Sequence, residues 1–273
     1  MTALPVVKTP KLYLGGAFVR SESGRVFQPA ASVNVPRGSR KDLRDAVRAA
    51  RQAQPGWAAL TAYNRGQVIY RIAEMLEASR SSMAQALGGG RSAARELDAC
   101  LDALVFFAGA ADKLGQMGGS VNSVAGPFFN FTVPEPVGVV FLVAGDRQAL
   151  LPLVTHLAAA VCAGNAAVAL VSPARPLPGL LLGEALQTGD LPPGTINLLS
   201  GLPGEILGWA GSHRDIDLVD CCGCDQEQWR DLSEAAADSV KRVLPPEPVP
   251  PPLNPRLALR MMELKTVWHP VGV

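Results

Sequence analysis

Pro136-Val-Gly-Val-Val-Phe-Leu-Val-Ala-Gly-Asp146 opens the stretch that decides the fold, and Leu218-Val-Asp-Cys-Cys-Gly223 closes it. Between them the apolar runs 139–143, 166–171, 196–199 and 216–221 alternate with helical stretches at 149–163, 177–187 and 204–210, and Gly or Pro marks each crossing. Short strands without polar alternation are buried on both faces, as strands of a parallel sheet are. The pattern therefore predicts an α/β fold, a doubly wound parallel sheet with helices on both faces. Such a sheet places its ligand groups at the carboxyl ends of its strands. Here those positions hold Asp146, Arg147, Leu170, Val171, Cys221 and Cys222, a poor set for holding a cofactor.

Composition narrows the function classes. The chain has 273 residues, 48% hydrophobic but only 5% aromatic, which suits helices packed on a parallel sheet. A net charge of +1 offers no footprint for a phosphate backbone, so no nucleic-acid partner is expected. Pro5, Lys8 and Pro10 stand where a secretory apolar core would lie, and a cytoplasmic location is expected. The longest apolar stretch, 149–171, is divided by Pro152, His156 and Gly164-Asn165, which argues against a membrane span. Five cysteines without framework spacing predict buried free thiols. Cys221-Cys222-Gly223-Cys224 lacks paired C-x-x-C elements, and the nearest histidine in sequence is His213, so no metal site is expected. No two of His156, His213 and His269 fall at ligand or triad spacing, and each is read as structural.

Around the central stretch, 11–18 and 25–33 read as two short strands. Helices are predicted from the Ser39 cap to Gln54-Pro55-Gly56, over 61–76 and over 91–114, and a strand over 128–135. A last long helix is predicted over 225–244. Residues 245–255 hold seven prolines in eleven positions, an extended linker. Helix-forming 256–262 and a β-prone tail, 263–268, follow. The domain reading is thus 1–244, a linker 245–255 and a carboxyl-terminal strand element 256–273. A tail this short is stable only when added to a sheet edge, and 128–135 is the expected partner.

Several strings resemble the amino-terminal half of the aldehyde dehydrogenase superfamily. They are Lys11-Leu-Tyr-Leu-Gly-Gly-Ala-Phe-Val19, Gly56-Trp57 with Tyr63-Asn-Arg-Gly66, Gly126-Pro-Phe-Phe-Asn-Phe131, Glu135-Pro-Val-Gly-Val139, Ala163-Gly-Asn165 and Leu191-Pro-Pro-Gly194, in family order over about residues 11–240. Glu263-Leu-Lys-Thr-Val267 looks like the carboxyl-terminal strand that, in those enzymes, adds to a partner's sheet. The resemblance implies a Rossmann-like coenzyme domain plus a small β oligomerisation element, with the catalytic domain absent. It is nearest to the catalytically empty second domain of the family-sixteen enzymes. The implied oligomer interface is Phe128, Phe129, Phe131, Val133, Leu264, Thr266 and Trp268, in a homodimer or against another domain of the same type.

The resemblance also shows what has changed. The family's nucleophilic cysteine follows the coenzyme domain, and no cysteine follows Cys224. Its Pro-Trp-Asn-Phe loop, whose Asn serves the developing oxyanion, is matched here by Gly145, Asp146, Arg147 and Gln148. Its ribose-binding Lys and Glu are matched by Leu170 and Pro173, and its Phe-Thr-Gly-Ser turn by Cys221, Cys222, Gly223 and Cys224. The expectation is a pseudoenzyme domain serving assembly or protein–protein interaction, with no catalytic residues, no metal and no cofactor beyond weak NAD. Two alternatives stay open: an NAD-binding sensor without chemistry, and half of a dehydrogenase completed by another chain.

Overall fold

The structure, a computed structural model, describes residues 8–29, 33–248 and 253–272. It opens on a hairpin of β1 (Leu12–Leu14) and β2 (Ala17–Val19). Gly15 and Gly16 both sit at positive φ between them, the two-residue turn whose twist matches a hairpin. The expected single strand over 11–18 is therefore two. β3 (Val26–Phe27) pairs antiparallel with β4 (Val35–Pro36), a shorter element than the predicted 25–33, of which residues 30–32 lie outside the described ones.

α1 (Arg40–Ala59) starts on a capping box in which Ser39 and Asp42 satisfy each other's backbone amides. It does not stop at Pro55, as the sequence suggested. The ring removes one helix hydrogen bond, but Trp57 is buried two residues later and its indole N–H donates to the Val161 carbonyl at 2.9 Å. That anchor carries the helix one turn further. α2 (Ala62–Ala78), α3 (Arg80–Ala86), α4 (Gly90–Ala110), one 3-10 turn and α5 (Leu114–Gly118) lead into β5 (Ser120–Asn122) and β6 (Phe128–Pro136).

The alternating half follows as β7 (Val139–Val143), α6 (Leu151–Cys162), β8 (Ala166–Leu170), α7 (Pro176–Thr188), β9 (Ile196–Leu199), α8 (Pro203–Ser212), β10 (Leu218–Asp220), α9 (Gln226–Ala237) and β11 (Arg242–Leu244). α10 (Arg256–Arg260) and β12 (Met262–Pro270) complete the chain. The main sheet has the order β11-β10-β7-β8-β9-β1-β2, parallel from β11 to β9, with the β1–β2 hairpin antiparallel on the far edge. Every residue of β7, β8 and β9 is buried. One apolar cluster fills the face under α2, α4, α6 and α7, and another, with Leu43, Phe141, Ile206 and Leu232, fills the face under α1, α8 and α9. The winding reverses between β7 and β10. That is where an open sheet of this kind leaves a crevice.

β12 pairs with β6 over nine residues, Met262 opposite Pro136 through Pro270 opposite Phe128, in a separate three-stranded antiparallel sheet ordered β12-β6-β5. The predicted helix over 225–244 is instead α9 followed by β11. The break needs no glycine or proline. Lys241 is buried and its ammonium donates to the carbonyls of Ala210, Gly211 and His213, groups left over at the end of α8. To reach them the backbone passes through Val240 at φ +52. A β-branched residue there costs roughly 1–2 kcal/mol, and Val240, 95% exposed, has little packing to offset it. Val240→Gly is expected to raise the unfolding free energy by roughly 0.5–1 kcal/mol in denaturant titrations, part of the relief being lost to unfolded-chain entropy. A decrease would mean that residue 240 is not held in the left-handed region.

Candidate functional site

The crevice at the switch point has a volume of about 270 Å³ and is lined by the loop after β7 (145–148), the turn after β10 (222–224) and residues 246–248. Its shape comes from two glycines. A Cβ on Gly223 would stand 2.0 Å from the Gly145 nitrogen, and one on Gly145 would stand 3.1 Å from the Gly223 Cα. The two loops therefore meet backbone to backbone, and the Gly223 amide donates to the Val143 carbonyl at 2.9 Å.

Most polar groups around this crevice are already committed within the chain. Asp146 accepts from the Ser172 hydroxyl and the Ala174 amide, tying the loop after β7 to the loop after β8. At the start of α6, Glu96 accepts from the amides of Leu150 and Leu151 at 3.0 and 3.2 Å. At the start of α9, Asp225 accepts from the Gln228 amide at 2.8 Å and closes a capping box with it. A free helix N-terminus attracts anions, but each of these two already holds a carboxylate. Glu247 lies along the crevice, its amide on the Cys222 carbonyl and its carboxylate on Arg260. Among the described residues lining the crevice there are two carboxylates, Asp146 and Glu247, to one guanidinium, Arg147. Leu170 is fully buried in the cluster under α1 and presents no polar group. The side-chain amide oxygen of Gln148, Oε1, is buried without a hydrogen-bond partner among the described residues.

Behind the crevice lies a cluster the sequence did not announce. His156, on α6, points its Nδ1 at the Asp220 Oδ2 across 2.6 Å, and both side chains are buried. The nearest histidine to the cysteine turn in space is thus His156 and not His213. Burial alone pulls the imidazolium pKa down, but the Asp220 carboxylate outweighs it and leaves His156 well above its ordinary value. Cys222 joins them, its thiol donating to the Val143 carbonyl at 3.3 Å and held protonated by burial. Donor atoms of the three residues lie within 4.8 Å of one another. Two ligands of one tetrahedral ion at ~2.0 Å stand about 3.3 Å apart, so an ion would have to part the His156–Asp220 hydrogen bond to enter.

The seven residues implied as an oligomer interface are brought onto β6 and β12, but not onto one face. The register sets Phe131 against Val267 and Val133 against Lys265, while Thr132 faces Thr266 and Asn130 faces Trp268. Directly opposed residues share a face and neighbours alternate. Phe129, Phe131 and Val133 therefore lie on one side, and Phe128, Leu264, Thr266 and Trp268 on the other. Leu264 and Trp268 are 61% and 59% exposed, and Phe128 packs edge-on against Trp268.

The sequence of residues 18–245, which carries the parallel sheet and its switch point, matches a family profile described as "Aldehyde dehydrogenase family". The chain belongs to the aldehyde dehydrogenase family. It is 33% identical over 254 residues to an aldehyde dehydrogenase, cytosolic 1, of Elephantulus edwardii, covering 87% of this chain and 50% of that protein. It is 32% identical to retinal dehydrogenase 2 of Gallus gallus, covering 87% and 48%. Among solved structures it resembles a betaine aldehyde dehydrogenase of Staphylococcus aureus in complex with NAD+, with TM-score 0.79, 26% identity and coverage of 86% and 49%. An NAD+ complex of an aldehyde dehydrogenase from Bacillus cereus matches at 0.79 and 25%, covering 86% and 50%. The chain spans about half the length of the relatives it matches.

The His156–Asp220 pair yields a pH prediction. Its folded pKa lies above the unfolded value near 6.5, so the pair's stabilisation is complete below that pH and is lost as pH rises through the folded value. The ring nitrogens are expected to keep imidazolium 15N shifts at neutral pH. His156→Ala, which strands a buried carboxylate, is expected to cost roughly 3–5 kcal/mol. A neutral ring at pH 7 would contradict this account of the pair.

Proposed function

We propose that this aldehyde dehydrogenase family chain is a non-catalytic module whose task is assembly through its β6–β12 sheet. The observation that carries the reading is the commitment of most polar groups around the crevice to the chain itself. Asp225 and Glu96 occupy the two helix N-termini, Asp146 staples two loops, and residues 246–248 run along the opening. Leu170 and Pro173 offer a sugar no side-chain hydrogen bonds. Two lost charge-assisted bonds at ~1.5–3 kcal/mol each move a micromolar site toward millimolar.

Covalent aldehyde chemistry needs a thiolate that can reach a carbonyl and a base to activate water. None of the five cysteines, all buried, stands at the position of the family's nucleophile. Arg147 occupies the position of the family's oxyanion-binding Asn, where its length and charge alter the donor geometry. The assembly role is supported by the edge that β12 presents. It is nine residues long, with Leu264, Val267 and Trp268 exposed along it. Such an edge is a template for another strand, and a self-complementary two-fold contact satisfies it most simply. The NAD+ complexes among the structural neighbours favour a second reading, a nucleotide-binding module without chemistry.

Two experiments test the proposal. Short aliphatic and aromatic aldehydes with NAD+ or NADP+ are expected to give no reduced nucleotide above a heat-denatured control. Turnover that scales with protein and survives repurification would overturn the non-catalytic reading. A chain ended at Pro255 is expected to lose self-association in sedimentation at tens of micromolar, while Arg147→Ala keeps it. A monomeric full-length chain, or unchanged assembly of the shortened one, would remove β12 as the assembly element.

A further inference from the structure

The turn after β10 sorts its three cysteines onto two faces of the main sheet. Cys221 and Cys224 lie in the cluster with Ile206, Leu207 and Leu232, whereas Cys222 belongs to the opposite cluster, beside His156 and Asp220. The Cys224 amide donates to the Cys221 carbonyl at 2.9 Å, closing a β-turn over 221–224. The ends of a β-turn stand less than about 7 Å apart at Cα, and a disulfide spans about 4.4–6.8 Å. Both side chains thus project into the same apolar cluster. Cys221 is fully buried, while Cys224 lines the crevice.

We propose that Cys221 and Cys224 are a redox-active dithiol, a modification site that closes to a disulfide when hydrogen peroxide enters through the crevice. The proposal depends on neither reading of the crevice above. Access makes Cys224 the attacking group. Its sulfur takes a hydroxyl as the O–O bond of peroxide breaks, giving a sulfenic acid and one water. Cys221, behind it, then forms the S–S bond, and the sulfenic hydroxyl leaves with the Cys221 proton as a second water. Two thiols lose two electrons and two protons, and one peroxide becomes two waters. The neighbouring Cys224 side chain and burial both hold Cys221 protonated until that second step. Cys222 is set aside by its face and by its hydrogen bond to the Val143 carbonyl.

The test uses the full chain, folded, with stoichiometric hydrogen peroxide, followed by alkylation, denaturation and mass spectrometry. Two of the five thiols are expected to disappear, the intact mass to fall by two hydrogens, and the link to lie within the tryptic fragment 215–230. A thiol reductant should restore all five. Cys222→Ala should close as before, whereas Cys224→Ala, a change at the crevice rim with unaltered far-UV circular dichroism, should not close at all. Retention of all five thiols would overturn the proposal. So would oxidation that stops as sulfinic acid on Cys224, or a disulfide that survives in Cys224→Ala.

Discussion

The loops after β7 and β10 touch at Gly145 and Gly223, and the geometry of the crevice depends on that contact. With a Cβ meeting backbone at 2.0 Å, the turn after β10 could not stay where it is. Its position in turn puts Gly223 N on Val143 O, drops Asp220 beside His156, and starts α9 at the crevice wall. Strands β7 and β10 are neighbours only because the chain winds β8 and β9 to one side and β10 and β11 to the other. Any change that parts these two loops moves the crevice, the buried ion pair and the cysteine turn together.

Carboxylates of the chain itself then set the electrostatics around the crevice. Backbone amides at the starts of α6 and α9 supply the partial positive charge that such folds direct at phosphates. Here Glu96 and Asp225 accept from those amides, and that attraction contributes to folding. Glu247 adds a further carboxylate along the opening, held by Arg260 on α10. Glu247 thus ties the crevice to α10. Oxidation at Cys221 and Cys224 would act on this same turn.

The parallel sheet was legible because β7, β8 and β9 are uninterrupted apolar runs bounded by glycine and proline, a local pattern with one structural solution. The family was legible in the same segments. What escaped the sequence was set by contacts between distant residues. The indole of Trp57 reaches Val161 and pulls α1 past Pro55, and Lys241 reaches the end of α8 and breaks the predicted helix after Ala237. His156 and Asp220 lie 64 positions apart, and only the closed sheet brings them to 2.6 Å. The residues expected at an interface lie on β6 and β12, and their division between two faces follows only from the register of β6 on β12. The sorting of Cys221 and Cys224 to one face of the sheet and Cys222 to the other is set by the turn after β10 and has no signature in the spacing of the three cysteines.

The proposal that the helix-start amides beside the crevice are taken up by the chain's own carboxylates can be tested amide by amide. NMR shift mapping of the isotopically labelled full chain during a titration with NAD+ would follow the backbone N–H groups of Gly145, Leu150, Gly223 and Gln228. The account predicts no saturable shift at any of them through the sub-millimolar range, because the amides of Leu150 and Gln228 keep Glu96 and Asp225 as partners. Saturating shifts at Gln228 and Gly223 at micromolar NAD+ would contradict it and make the crevice a working nucleotide site.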